Sequence, residues 1–132
     1  MNKVIIVTGG SKGIGNGIVN ILANEGAIPV IIGRDKISVA KAVKDVEANG
    51  GQTFSAIAEL TDPKQCEAAI ESIISKFGRI DGLVNNAGVN DGVSLENGNY
   101  EDFIRSLNRN VTHYYLMAHF ALPELKKVKG AI

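Results

Sequence analysis

One eight-residue segment constrains this chain more than any other: Thr8-Gly9-Gly10-Ser11-Lys12-Gly13-Ile14-Gly15. It lies between the apolar run Val4-Ile5-Ile6-Val7 and the amphipathic stretch Ile14 to Leu22. A strand, a glycine turn and a helix start, in that order, form a cradle for a phosphate group. Glycine turns at positive φ and lets the backbone approach a ligand with no Cβ in the way. The helix that follows offers unpaired N–H groups and the positive end of its dipole to the anion. A nucleoside triphosphate P-loop is disfavoured, because Gly15 is followed by Asn16-Gly17 where that motif needs Lys and then Ser or Thr.

Beyond this turn, short apolar runs alternate with helical patterns. Lys3 to Thr8 reads as a buried strand and Gly13 to Asn24 as a helix ended near Gly26. Ile28 to Gly33 is a second strand, with Pro29 confined to its first residues because proline cannot donate to a ladder. Asp35 caps a helix running to Asn49, and Thr53 to Ala58 forms a third strand. Asp62-Pro63-Lys64-Gln65 starts a helix that ends at Phe77-Gly78, with a cap, a proline at the first helical position and a glutamine three residues on. Ile80 to Val84 is a fourth strand, and a loop from Asn85 to Asn99 leads into a long helix from Tyr100 to Leu122. Within that helix Phe103, Leu107, Val111, Tyr114, Ala118 and Leu122 recur at spacings of three and four, predicting a buried stripe.

Strict β-α alternation implies an α/β domain with a parallel sheet, right-handed crossovers and helices on both faces. A phosphate turn after the first strand predicts a doubly wound sheet of strand order 3-2-1-4, with the ligand crevice at the carboxyl ends of strands 1 and 4. Asn85-Asn86-Ala87-Gly88 closes strand 4 and so converges on the same crevice. Lys127 to Ile132 reads as a helix end, a turn and the first residues of a fifth strand, which suggests a single domain, residues 1–132, cut off in mid-element.

Composition narrows the partners. Fourteen basic residues balance fourteen acidic ones, so no global field recruits nucleic acid or an acidic membrane, and neither is expected as a partner. A lone cysteine, Cys66, and the lack of a signal-like or membrane-length apolar run fit a cytoplasmic protein. Cys66 reads as a small core residue, and His113 and His119, six apart on one helix, as packing or surface residues. No metal site is expected.

Thr8-Gly9 with Gly13-Ile14-Gly15, followed by Asn85-Asn86-Ala87-Gly88, resembles the short-chain dehydrogenase/reductase family, and the resemblance covers the whole chain. It implies a Rossmann fold and hydride transfer between a nicotinamide cofactor and an alcohol or carbonyl substrate. It further implies that Gly9, Ser11, Ile14 and Gly15 hold the pyrophosphate, and that Asn86, Ala87 and Gly88 line the cofactor cleft. Glu59-Leu60 stands where family members place Asp and an aliphatic residue against the adenine. Asn110 matches the asparagine that positions a water in the proton relay, although a satisfied core asparagine would look the same. The family also suggests homo-oligomers formed through the long helix.

Cofactor choice rests on the end of strand 2. Gly33-Arg34 stands there instead of a carboxylate, and Lys12 lies in the glycine turn. Two cations favour a 2′-phosphate, so NADP is expected, with NAD as the alternative. The family's serine and Tyr-x-x-x-Lys are absent: Tyr100, Tyr114 and Tyr115 are followed at the fourth position by Ile104, Ala118 and His119. The chain is therefore expected to be inactive alone, and a non-catalytic nucleotide-binding or interaction module is the competing reading. Ala27-Ile28-Pro29-Val30, Gly88-Val89-Asn90-Asp91-Gly92-Val93 and His113 to His119 look like the L-fucose dehydrogenase branch. In that case Asn90 and Asp91 would bind a polyol; otherwise their loop is structural.

Overall fold

Isoleucine and valine dominate the two central strands, β1 (Val4–Thr8) and β2 (Ile28–Gly33), which are buried along most of their length. Continuous apolar runs of this kind suit parallel strands covered on both faces. In the computed structural model, which describes residues 2–132, β1 and β2 pair in parallel from Val4–Ile28 to Thr8–Ile32. β3 (Phe54–Ile57) joins β2 and β4 (Gly82–Val84) joins β1, both in parallel, so the order is β3-β2-β1-β4. That is the predicted doubly wound order. β3 and β4 are shorter than the sequence suggested, by one residue at each end and by two at the start. Pro29 is accommodated because β3 pairs with β2 only from Val30 onward. Ala131 makes one parallel bridge to Gly82 on the free side of β4, where a fifth strand was expected.

Helices cover both faces. α1 (Gly13–Asn24) and α2 (Lys36–Ala48) pack Val19, Val39, Ala42 and Val46 on Val7 and Ile31. α3 (Pro63–Phe77) and α5 (His113–Val128) pack Ile70, Ile73 and Met117 on Val4, Ile6, Val30 and Ile32. Alternate strand residues thus feed opposite cores. Full burial of each such side chain stabilises by roughly 1.5–3 kcal/mol, so the sheet and its helices hold the loops in place. At the base of β4 a nearly buried Asp81, its side chain 7% exposed, accepts the Val4 amide at 2.8 Å and pairs with Arg79. The Arg79 guanidinium, helped by that amide and opposed by burial, holds the Asp81 carboxyl below the usual carboxylate range.

The long helix departs from expectation in two ways. It is interrupted: α4 (Tyr100–Leu107) passes through a π-helical turn (Asn108–Thr112) into α5, which runs on through Pro123 to Val128. Moreover, the expected apolar stripe is not the buried one. Phe103, Leu107, Val111, Tyr114 and Leu122 are exposed, while His113, Met117, Ala121 and Leu125 are buried. The physical reason is that periodicity locates an apolar stripe without saying which way it points. The face one residue earlier in phase, Asp102, Ser106 and Asn110 and then His113, Met117 and Ala121, turns inward. No described helix is long and apolar enough to cross a membrane.

Candidate functional site

α2, α3 and α4 each begin on a side-chain cap, from Asp35, Asp62 and Asn99. α1 begins at Lys12 with no such cap and no acidic residue in its first turn. Its leading N–H groups and its dipole therefore stay available to an anion. The glycine turn delivers the backbone to this point. Gly9 adopts φ +65°, and a Cβ there would lie 3.0 Å from the Ala87 Cα. A Cβ on Gly15 would overlap the Gly9 carbonyl oxygen and lie 2.5 Å from the Asn86 Nδ2. Helix α1 and the loop after β4 thus approach as closely as backbone allows.

One hydroxyl joins the two loops. Thr8, fully buried at the end of β1, accepts the backbone amides of Asn86 at 3.0 Å and Ala87 at 3.1 Å. It donates in turn to the Val84 carbonyl at 3.4 Å. The Asn86 side chain returns the contact, its Nδ2 donating to the Thr8 and Gly9 carbonyls at 3.1 and 3.3 Å. Gly9 itself donates to the Ile32 carbonyl at 2.8 Å. The turn after β1 is therefore tied to both neighbouring strands.

These elements enclose a cleft of about 450 Å³ at the carboxyl edge of the sheet. Gly9, Ser11, Lys12 and Ile14 form one wall; Arg34, Glu59 and Leu60 stand at the ends of β2 and β3; Asn86, Ala87 and Gly88 form the opposite wall. Its charges are loosely held. Lys12 lies 3.8 Å from Asp35 and Arg34 3.5 Å from Glu59; Lys12, Arg34 and Asp35 are exposed and Glu59 is half-buried. Asp35 accepts the Ile37 amide and the Ser38 hydroxyl, so its carboxylate serves the cap of α2. Gln65, three residues after the Asp62 cap, donates from Nε2 to the Asp62 carboxylate at 3.1 Å, and its Oε1 accepts the Glu59 amide at 2.8 Å, which fixes the end of β3. Burial pushes the Glu59 carboxyl upward, but the Thr61 amide and hydroxyl and Arg34 outweigh it and leave it below its ordinary value.

The short chain dehydrogenase family model matches residues 3–132. This chain belongs to the short-chain dehydrogenase family. It is 34% identical over 131 residues to 7alpha-hydroxysteroid dehydrogenase of Clostridium sardiniense, covering 97% of this chain and 50% of that protein. Among solved structures it is similar to Cj0485 dehydrogenase, at TM-score 0.84 and 41% identity, over 96% of this chain and 48% of that one. It is also similar to L-sorbose reductase from Gluconobacter frateurii, complexed with NADPH and L-sorbose, at TM-score 0.89 and 28% identity, over 96% and 48%. The chain spans about half the length of the curated relatives it matches.

Two residues singled out in this short-chain dehydrogenase chain lie beside the cleft rather than in its lining. Gly15 packs beneath the turn, and Asn110 sits in the π turn behind Gly88 and Val89. The Asn110 Oδ1 accepts the Val89 amide at 2.8 Å and its Nδ2 donates to the Ser106 carbonyl at 3.0 Å. Ser106 reaches Asp91 at 3.0 Å, so the π turn and the loop over the cleft are braced together. Sequence reasoning missed three contributors. Thr8 belongs to the glycine motif, and no local pattern marks its hydroxyl as a hydrogen-bond hub. Arg109 and His113 line the cleft, but their helical phase hid them. Burial pushes the Cys66 thiol up to about 11 and its Sγ faces the Leu60 carbonyl, consistent with a core residue rather than a nucleophile. Among the described residues no cluster of three or more His, Cys, Asp or Glu gathers that would hold a metal ion.

Proposed function

We propose that this chain is the cofactor-binding half of an NADP-dependent oxidoreductase acting on an alcohol or carbonyl substrate. The observation that carries the cofactor choice is a pair of cations facing the cleft, Lys12 in the glycine turn and Arg34 just after β2, whose carboxylate neighbours Asp35 and Glu59 also accept backbone amides. Exposed ion pairs of this length contribute about 0–1 kcal/mol, whereas a charge-assisted bond to phosphate contributes roughly 1.5–3 kcal/mol. A 2′-phosphate therefore draws both cations from their present partners. The uncapped start of α1 and the backbone cradle at Gly9 and Gly15, which a Cβ would fill, suit the pyrophosphate. The similar L-sorbose reductase structure is complexed with NADPH, which supports the same choice.

The nicotinamide cofactor supplies the hydride chemistry when bound, and the protein binds and orients it. Titration should show NADP(H) bound at least tenfold more tightly than NAD(H), a difference needing only about 1.4 kcal/mol. Arg34→Ala should remove most of that preference while leaving NAD affinity within about twofold. Equal or tighter NAD binding, with a ratio insensitive to Arg34→Ala, would reject the assignment.

Asn110 is proposed to position a water for proton transfer, a role its place between the Val89 amide and the π turn supports. In the protein that carries this chain, Asn110→Ala should lower turnover by about a hundredfold with cofactor affinity changed much less. Unchanged turnover would sink the role. These 132 residues contain no Tyr-x-x-x-Lys, so alone they are expected to bind cofactor without turning over an alcohol. For substrate, the loop residues Asn90 and Asp91 favour a polyol, and the sugar bound by L-sorbose reductase supports a sugar of the L-fucose kind. Turnover of steroids or acyl substrates but no sugar counts against it. The exposed stripe Phe103, Leu107, Val111 and Leu122 is proposed to pair two copies of the protein, and sedimentation as a monomer at all concentrations rejects that pairing.

A further inference from the structure

Resting on the cofactor reading above, we propose that His113 reads the base of the bound dinucleotide, its Nδ1 accepting a hydrogen bond from the 6-amino group of adenine. His113 enters α5 directly from the π turn, is 1% exposed, and lies in the wall of the cleft. Its Nε2 is 3.0 Å from the Arg109 carbonyl. A carbonyl oxygen can only accept, so the proton sits on Nε2 and Nδ1 is left as an acceptor. Burial depresses the ring's pKa further than the Arg109 carbonyl and Glu59 raise it, which keeps the imidazole neutral.

Nδ1 has no hydrogen-bond partner among the described residues. A buried acceptor of this kind costs about 1–3 kcal/mol unless a donor reaches it, and in a cleft wall the donor comes from the ligand. The donors of an NADP molecule are its ribose hydroxyls, its carboxamide and the 6-amino group of adenine. Lys12 and Arg34 draw the 2′-phosphate, and with it the adenosine half, to the ends of β2 and β3. His113 lines the same cleft near enough to Glu59 to feel its charge, and Leu60 and Ala87, which belong to one apolar cluster, offer apolar surface to a flat base. Glu59 is the rival reader of the amino group: its Oε1 already accepts the Thr61 amide and hydroxyl at 3.3 and 3.1 Å, while its Oε2 faces Arg34 and solvent. Among the cleft-lining acceptors, the His113 Nδ1 is buried with no donor from the described residues, so it gains more from the amino group than a carboxylate that water also reaches.

The test compares NADP with its hypoxanthine analogue, in which a 6-oxo acceptor replaces the 6-amino donor. By calorimetry the unmodified protein should bind NADP about tenfold or more tightly than the analogue. His113→Leu should reduce that ratio to about twofold, chiefly by weakening NADP, and His113→Asn, which restores a polar group near the Nδ1 position, should recover part of it. Nitrogen NMR of the unmodified protein gives a second readout. The Nδ1 resonance should report an unprotonated nitrogen and shift on addition of NADP but not of the analogue, a result that stands even if His113→Leu fails to fold. No discrimination by the unmodified protein, full discrimination by folded His113→Leu, or a proton on Nδ1 would each overturn the proposal. Failure of the unmodified protein to bind either dinucleotide would instead reject the cofactor reading, and this inference with it.

Discussion

Gly15→Ala should weaken NADP binding by about ten- to a hundredfold and lower thermal stability measurably. The added methyl has no free volume: it overlaps the Gly9 carbonyl and crowds the Asn86 amide, and both are held in place. Gly9 donates to Ile32, and Asn86 is fixed by Thr8 and the two turn carbonyls. The flexible tip of a side chain could move aside; turn backbone hydrogen-bonded to a neighbouring central strand cannot do so cheaply. Overpacking of this kind costs about 1–3 kcal/mol. If helix α1 slides outward to relieve it, the N–H groups that face the phosphate move with it. Titration calorimetry beside a thermal melt checks both parts. Wild-type affinity together with an unchanged melting temperature would show that the turn and α1 are not packed as described.

Thr8→Val should be the most destabilising isosteric change in the cleft. The side chain keeps its volume, but the amides of Asn86 and Ala87 lose their shared acceptor. Leaving two partly buried donors unpaired costs about 1–3 kcal/mol each. A loss of about 3 kcal/mol corresponds to a melting temperature roughly 10 °C lower for a domain of this size. Thr8→Ser keeps the oxygen and should recover most of the loss. NADP affinity should fall in Thr8→Val as well, because the loop after β4 is no longer anchored to the glycine turn. Denaturant unfolding of the three proteins separates the outcomes, and a Thr8→Val variant as stable as the parent would remove Thr8 from its central role.

Much of the architecture was legible because neighbours in the chain are neighbours in the fold. The runs Val4–Val7 and Ile28–Ile32 are apolar and β-branched, so burial on both faces could be read directly, and the order of the sheet followed from the position of the glycine turn. Asp35 and Asp62 cap the helices they were expected to cap. The site was less legible, for identifiable reasons. The Thr8 contacts span 78 and 79 residues, and no local pattern marks a threonine as an acceptor for a distant loop. Gln65 keeps its local contact with the Asp62 cap and adds one to the Glu59 amide that no local pattern marks. His113 looked peripheral because the apolar stripe beside it drew attention to the wrong face of the helix.

The π turn at Asn108–Thr112 has a consequence for how the protein tolerates changes in chain length. A π turn carries about one residue more than an α-helical turn, so removing one residue there would restore a continuous α-helix. Because the wide turn closes the same full rotation with about one residue more, that deletion would leave α4 and α5 in nearly their present relative orientation. What would be lost is the widened turn itself, from which Asn110 reaches the Val89 amide and after which His113 enters the cleft wall. A one-residue insertion or deletion within α4 or α5 proper, where no wide turn absorbs it, would instead rotate one helix against the other by about 100°, so length changes should be tolerated at the π turn and not beside it.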